Sequence, residues 1–377
     1  MMDEIDERLI NKCINLRHDI HKYPEISGCE TETKNRLISF ISENTHLKIQ
    51  DMGKWFYAVY ESGKKVPGIL FRAELDAVAI QETGSPQYKS LVPGVGHLCG
   101  HDGHQAALAA AAVEIDRTGA NQDVYFLFQH AEETGEGARE CAELLEDKSI
   151  GQVYGFHNQP GCEYKTVMIR KEGTAHYASK GIIIQFKGRA THAATPEKGL
   201  NSAFPLSELV TRVNDWNNLD SYIGDVLCTV VGINAGGRIF GMQASDGELC
   251  LTVRSCFQED MNKLQERIME DVKFTADKYS MEFNISYCDE FPVTEVSEVC
   301  SKILEDVCKK ENVKFNYIEN PDRASDDFGW YTMNTAGTVF YIGDGTTYPE
   351  LHASNFDFPD GLIPFIAKLI VAIAKHT

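Results

Sequence analysis

Apolar residues recur every three or four positions at the start of the chain (Leu9, Cys13, Leu16, Ile20), the spacing of one helix face, and Pro24 ends the run. A second helix is expected over residues 30–44. Short apolar runs bounded by turn residues follow at 55–60, 68–71, 124–129 and 152–156, and these read as strands. Among them lie an alanine-rich stretch, residues 103–116, and a stretch at 137–147, both expected to be helical. Short strands alternating with longer helices predict an α/β layer on a largely parallel sheet.

The pattern then changes. Residues 181–188 alternate as a half-exposed strand does, and 203–216 are expected to be helical. Strands at 225–234 and 248–257, a helix at 259–279 and a strand at 282–288 complete the order β-α-β-β-α-β, the ferredoxin-like arrangement. After Phe291-Pro292 the earlier style resumes, with a buried strand at 338–342. Near the end Leu362, Phe365, Ile366, Leu369, Ile370 and Ile373 mark a buried helix face. The economical reading is one α/β domain, residues 1–173 and 291–377, interrupted by a smaller α+β domain, residues 174–290.

Charge and composition narrow the partners. With 36 basic against 56 acidic side chains the net charge is −20, a surface that repels phosphate backbones and anionic lipid. Nucleic acid and membrane are therefore not expected as partners. The start MMDEIDERLI is acidic where a secretory signal needs a basic one, and the apolar stretch 362–374 is too short to span a bilayer and carries Lys368. Eleven cysteines, an odd number without a CxxC pair, read as reduced thiols of a cytoplasmic protein.

The strongest chemical signal is Cys99-Gly100-His101-Asp102-Gly103-His104, entering the alanine-rich helix. Thiolate and imidazole suit Zn²⁺ and its late-transition neighbours, and a glycine-rich turn lets backbone bend around an ion. The alternative is a buried cysteine beside the capping residues of a helix. Glu132-Glu133 follows the strand at 124–129, where open α/β sheets place their sites. Neighbouring strand residues point opposite ways, so both carboxylates can face one site only if the chain turns, which Thr134-Gly135 supports. Otherwise the pair is a solvated acidic loop. His157, just past the strand at 152–156, and His352 are each, taken alone, more often hydrogen-bonded core residues than ligands. Taken together these groups suffice for two metal ions, with one carboxylate left to act as base.

Further blocks accompany them in order: Leu16-Arg17-His18 through Pro24-Glu25, Phe71-Arg72-Ala73-Glu74-Leu75-Asp76-Ala77, Gln129-His130-Ala131, Thr191-His192-Ala193-Ala194-Thr195-Pro196, Asp327-Phe328 and Leu351-His352. Running nearly end to end, they resemble the dinuclear metal-dependent amidohydrolases and peptidases of the aminoacylase and glutamate-carboxypeptidase superfamily. The branch most resembled holds hippurate hydrolases, auxin–amino acid conjugate hydrolases and N-acetyldiaminopimelate deacetylases. The resemblance implies two divalent ions, zinc or manganese, on Cys99, His101, Glu133, His157 and His352, with Glu132 as general base. It implies that the insert is a lid that often makes a homodimer contact. It also implies that His192 reaches the scissile carbonyl oxygen, frequently in the partner subunit's site.

Four departures stand out: His130 where the family commonly has Pro, Glu74 and Asn201 where it has Asp, and a lid segment at 241–246 (Gly-Met-Gln-Ala-Ser-Asp) without the usual Asn. Arg254 is a candidate clamp for a substrate carboxylate, or a structural salt bridge; Asp76 and Asp102 are candidates to orient ligands from behind. The expected activity is hydrolysis of the amide bond of an N-acyl amino acid by metal-activated water. A dipeptidase or aminopeptidase on small peptides, a metal-binding homologue that hydrolyses nothing, and a metal-free hydrolase using Cys99 with a nearby histidine are the alternatives.

Overall fold

The computed structural model of the chain describes residues 4–376. They divide into two compact units: the first holds the chain up to Ala175, Thr294–Asn320 and the chain from Asp326, and the second holds His176–Val293 with Pro321–Ser325.

The first unit is built on an eight-stranded sheet, in the order Lys48–Asp51, Phe56–Tyr60, Val124–Gln129, Gly68–Glu74, Ile150–Pro160, Ala336–Gly345, Val167–Ile169, Phe315–Tyr317. The middle four strands run parallel to one another; the outer two of them pair antiparallel with Phe56–Tyr60 and Val167–Ile169, and Phe315–Tyr317 runs parallel to Val167–Ile169 at the far edge. Gly68–Glu74 and Val124–Gln129 are buried along their whole length, as strands covered on both faces must be. Alternate residues feed two cores. Ile69, Phe71, Val124, Phe126 and Phe128 pack with helical Cys13, Ile20, Leu37 and Ile41, whereas Leu70, Tyr125 and Leu127 join Ala138, Cys141, Phe328 and Tyr331.

The alanine-rich helix is His101–Thr118, beginning two residues earlier than expected. It packs against the helices Glu7–Lys22 and Ile363–Ala374 and the strand Gly68–Glu74. Its small side chains allow that approach, and a Cβ on Gly103 would meet the Phe358 ring at 2.3 Å.

Other expectations are corrected. The stretch 137–147 forms two short helices, Gly137–Cys141 and Glu143–Asp147, and an i→i+3 bond from Leu145 N–H to Ala142 O tightens the chain at their junction. The strand expected at 152–156 is Ile150–Pro160, extended by its parallel partner Ala336–Gly345. Short strands such as Lys48–Asp51 and Phe315–Tyr317 lack a pattern long enough to read. The chain leaves the first unit and returns to it through Gly173–His176 and Thr294–Val296, which pair in a two-stranded sheet.

The second unit has the β-α-β-β-α-β order read from the sequence, on an antiparallel sheet Glu282–Phe291, Ala178–Lys187, Gly247–Ser255, Val226–Ala235. Ile182, Ile184, Phe186, Leu249, Leu251 and Val253 on one face pack with Leu264, Ile268 and Val272 of the helix Gln258–Tyr279. The helix expected over 203–216 is interrupted at Arg212. Pro321–Ser325 belongs here because Arg323 pairs with Asp225 (2.6 Å) and the Tyr177 N–H donates to Asp322 O (3.0 Å). Among the described residues no helix is long and apolar enough to cross a membrane.

Candidate metal centre

Gly100 takes φ +101°, and a Cβ there would fall 2.3 Å from Asn158 Oδ1. That glycine turn releases Cys99 and starts the helix at once, so His101 and Asp102 both lie in its first turn. His101 Nδ1 donates to the backbone oxygen of Asp76 (2.9 Å). Nε2 therefore carries the lone pair; it is buried and has no hydrogen-bond partner.

Beyond Val124–Gln129 the chain reverses at Ala131, which adopts φ +47°. Its N–H donates to Glu30 Oε1 (2.7 Å), and its carbonyl accepts from Glu136 (3.2 Å) and Gly137 (3.1 Å). A Cβ on Gly137 would overlap His130 O at 1.6 Å, so the loop closes only around glycine. The turn expected at Thr134-Gly135 is closed by Gly135 N–H on Glu132 O (2.8 Å). Both carboxylates thereby face His101 Nε2, at 3.8 Å for Glu132 Oε2 and 3.9 Å for Glu133 Oε1.

His157 lies within its strand, opposite Tyr341, and not past the strand's end as the sequence reading had it. Its Nδ1 donates to Asn158 O (2.8 Å), and its Nε2 stands 3.4 Å from Cys99 Sγ. His352 has φ +63°, fixed by its N–H bond to Leu98 O (2.8 Å), and its Nε2 is 3.3 Å from Glu133 Oε1. Cys99, His101 and His157 form one group of ligand atoms and Cys99, Glu133 and His352 a second, each within 4.8 Å. All five expected ligands and Glu132 thus meet in one place, with Cys99 common to both groups.

The donor set fits a pair of divalent cations. Tetrahedral zinc, with Zn–N near 2.0 Å and Zn–S near 2.3 Å, spaces neighbouring ligand atoms about 3.3–3.8 Å apart; the separations here run from 3.3 to 3.9 Å. His101 Nε2 is buried without a hydrogen-bond partner, as an atom aimed at an ion would be, and buried Glu133 Oε1 faces His352 Nε2 at 3.3 Å and His101 Nε2 at 3.9 Å. Without an ion the donors influence one another in different directions, so a bound cation would have to displace protons from several of them. Burial and the Glu133 charge push the Cys99 thiol up. Burial pulls His101 down, but Cys99 and Asp76 outweigh it and hold the imidazole well above its usual value. Hydrogen bonds to Cys99 and Glu133 raise His352 to about 10, whereas burial and neighbouring His104 lower His157 to about 3.

Behind the expected ligands, Asp76 Oδ2 accepts from the Glu133 N–H (2.9 Å) and Ser27 (2.7 Å), and its Oδ1 lies 3.4 Å from His101 Nδ1, as an orienting group would. Asp102 does not touch a ligand. Its Oδ2 accepts from Arg17 Nε and His21 Nδ1, both at 2.8 Å, because the helix turn points it away from His101. His104 spends both nitrogens elsewhere, on Glu74 Oε2 (2.7 Å) and Asn158 Oδ1 (2.8 Å).

Glu74, without a role in the sequence reading, ties His104 to Arg72. Arg72 also bonds Gln129 Oε1 (2.9 Å) and Asp326 Oδ1 (2.9 Å) and pairs with Asp327. Carboxylate oxygens of Glu132, Asp326 and Asp327 lie within 4.8 Å of one another. Burial, then Asp326, Glu133 and Asp327, hold Glu132 well above the ordinary carboxylate range. Sequence reasoning missed this layer, although the i, i+2 spacing of Arg72 and Glu74 on one strand face was a signal for part of it.

His192 and Arg254 belong to the second unit. His192 is exposed and bridges Met242, so the departing lid segment carries the backbone beside it. Arg254 Nη1 donates to Arg323 O (2.6 Å) and Ser325 Oγ (3.0 Å), and no carboxylate pairs with it among the described residues.

A parallel sheet whose loops gather thiolate, imidazole and carboxylate around two points defines a metal-dependent amidohydrolase. The chain belongs to peptidase family M20/M25/M40, matched over residues 70–376. It is 28% identical to a hippurate hydrolase of Campylobacter jejuni, covering 95% of this chain and 94% of that one. It is 27% identical to an N-acetyldiaminopimelate deacetylase of Listeria welshimeri, over 96% and 98%. The solved structure of a dinuclear metal binding peptidase of the M20 family from Bacillus subtilis matches its fold with a TM-score of 0.82 at 21% identity, over 98% of both chains.

Proposed function

We propose that this protein hydrolyses the amide bond of an N-acyl amino acid, with two divalent ions on Cys99, His101, Glu133, His157 and His352 and with Glu132 as general base. The observation that carries the reading is the meeting of these donors around the buried His101 Nε2, which has no hydrogen-bond partner, with Glu133 and Glu132 beside it. When bound, the ions supply Lewis acidity and lower the pKa of water from about 15.7 towards about 7. Glu132, outside the proposed ligand set, accepts the proton of the attacking water and passes it to the departing nitrogen. Its raised proton affinity, from burial and neighbouring carboxylates, suits it to hold that proton between the two transfers. Asp76 holds His101 and the Glu133 backbone in register meanwhile. His192, from the insert of a partner subunit, donates to the oxyanion. Arg254 offers Nε and Nη2 to a substrate carboxylate while Nη1 stays anchored.

The names of the two relatives support an N-acylated amino acid as substrate, and the thiolate favours zinc over manganese on softness. A homodimer is supported by the edge strand Val226–Ala235, where Val231 and Ile233 are exposed, and by exposed Ile239, Phe240 and Met242 nearby. A cytoplasmic setting suits eleven free cysteines. A metal-free cysteine hydrolase is disfavoured, because its thiol should be depressed and the Cys99 thiol is raised.

The deciding experiment is elemental analysis, then turnover of N-acetyl and N-benzoyl amino acids and dipeptides, before and after chelation. Cleavage of N-acyl amino acids, lost with chelator and restored by metal, is expected. Exclusive cleavage of dipeptides would move the assignment to a peptidase, and no turnover by metal-loaded protein would leave a silent homologue.

A further inference from the structure

Two histidines stand close enough to compete for the same ion. The rings of His104 and His157 meet edge to face with centroids 4.6 Å apart, and both belong to motifs that could supply a ligand. One residue stands between them. Asn158 accepts from His157 Nδ1 through its backbone oxygen (2.8 Å), which turns His157 Nε2 toward Cys99. Through its side chain it occupies His104: Oδ1 faces His104 Nε2 at 2.8 Å. An amide has two ends, and turning it over would present Nδ2 to His104 instead, leaving that nitrogen with a lone pair.

Asp344 chooses the end. Its Oδ2 accepts from Asn158 Nδ2 at 2.8 Å. A carboxylate only accepts, so the amino end of the amide must point to Asp344 and the oxygen end to His104. His104 Nε2 is then a donor, and its Nδ1 is already engaged with Glu74 Oε2. The Asn158 backbone N–H lies 3.4 Å from the same Nε2, a longer and weaker contact than the one to Oδ1. Asp344 and Asn158 are both buried, so water does not substitute for either.

We propose that Asp344 is a positioning residue for the metal centre: by fixing the orientation of the Asn158 amide it commits His104 to hydrogen bonding and leaves His157 as the ligand. This rests on the proposal that the cluster binds metal. Asp344 acts through Asn158 and touches no proposed ligand atom.

The test uses the full-length protein loaded with cobalt(II), at pH 8, above the value of about 7 to which burial raises the Asp344 carboxyl. Asp344→Leu removes a buried carboxyl whose Oδ1 has no hydrogen-bond partner and replaces it with an apolar group of similar size. The chelator-treated variant should still fold, with a melting temperature lowered by a few degrees, because one end of the buried Asn158 amide is left without a partner. Its cobalt affinity, by competition with a chelator, should fall about 10–100-fold, the usual effect of losing a group that orients a ligand. The visible cobalt bands should shift as the histidine set changes. Asp344→Asn, which can accept from Asn158 Nδ2 or donate to a turned-over amide, should restore the melting temperature but affinity and bands only in part; full wild-type affinity in it would mean that the accept-only carboxylate is not what fixes the amide. Wild-type bands and affinity in Asp344→Leu, or failure of that variant to fold, overturns the proposal. Wild-type protein that binds no cobalt overturns instead the metal reading on which it rests.

Discussion

His101 and Asp102 are neighbours in the first turn of one helix, and they open onto two buried networks built differently. On the Asp102 side opposite charges meet at hydrogen-bonding distance: Arg17 with Asp102 at 2.8 Å and Asp360 at 2.7 Å, and His21 with Asp102 at 2.8 Å. On the His101 side, the imidazoles of His101 and His352 stand off from the Glu132 and Glu133 carboxylates by 3.3–3.9 Å. Closed ion pairs lock the helix start to the helix Glu7–Lys22. Gaps of that size leave room for another atom, and a cation would satisfy the Cys99 thiolate, the three imidazoles of His101, His157 and His352 and the Glu133 carboxylate at once. Burial alone therefore separates nothing here; the spacing between the charges does.

That contrast can be broken from either side. The largest effect is expected for Glu132→Gln, which should lower kcat about 10²–10⁴-fold while bound metal, by elemental analysis, stays at the wild-type level. Retained turnover in the metal-replete variant would remove Glu132 as base. Next is Arg17→Met, which strands Asp102, Asp357 and Asp360 and should cost about 3–5 kcal/mol in denaturant unfolding, with metal content of the folded fraction unchanged. Loss of metal without loss of stability would mean that the two networks are one.

Smaller effects sharpen the comparison. Glu74→Ala frees His104, whose ring stands against that of the proposed ligand His157, and should weaken metal binding about 10-fold in chelator competition. His21 provides a pH signature of the closed side. Burial works against its charge, but its bond to Asp102 outweighs that and raises it from 6.5 to about 9. Its contribution to stability is thus complete below about pH 6.5 and is lost as pH rises through about 9; His21→Gln should flatten the fall in unfolding midpoint across that window. Last, Cys288→Ser on the exposed strand should change stability by less than about 0.5 kcal/mol and leave activity intact, in contrast to any change at Cys99.

Much of this was legible in the chain because periodicity and motif order are local. The buried runs of Gly68–Glu74 and Val124–Gln129 and the β-α-β-β-α-β insert needed only pattern, and the meeting of Cys99, Glu133, His157 and His352 needed the resemblance as well. What failed depended on partners far along the sequence. His157 reads as a strand end until Ala336–Gly345, nearly two hundred residues later, extends the ladder past it. Asp102 looks like a support for its neighbour His101 because nothing local announces Arg17 across the helix. His104 is as ligand-like as His101 until Glu74 and Asn158 claim its two nitrogens. Of the departures from the family pattern, Glu74 proved to belong to the support of the site, whereas Asn201 caps backbone, its Oδ1 accepting from the Ala203 N–H at 3.0 Å.

The pairing of Gly173–His176 with Thr294–Val296 has a consequence for how such a chain can change. Exit and re-entry lie side by side, so everything between them can be lengthened, exchanged or cut away without pulling the large sheet out of register. A tight hairpin joining Ala175 to Thr294 would close the remaining scaffold on itself. The catalytic layer and the piece grafted into it are in this sense separable inheritances, free to drift at different rates.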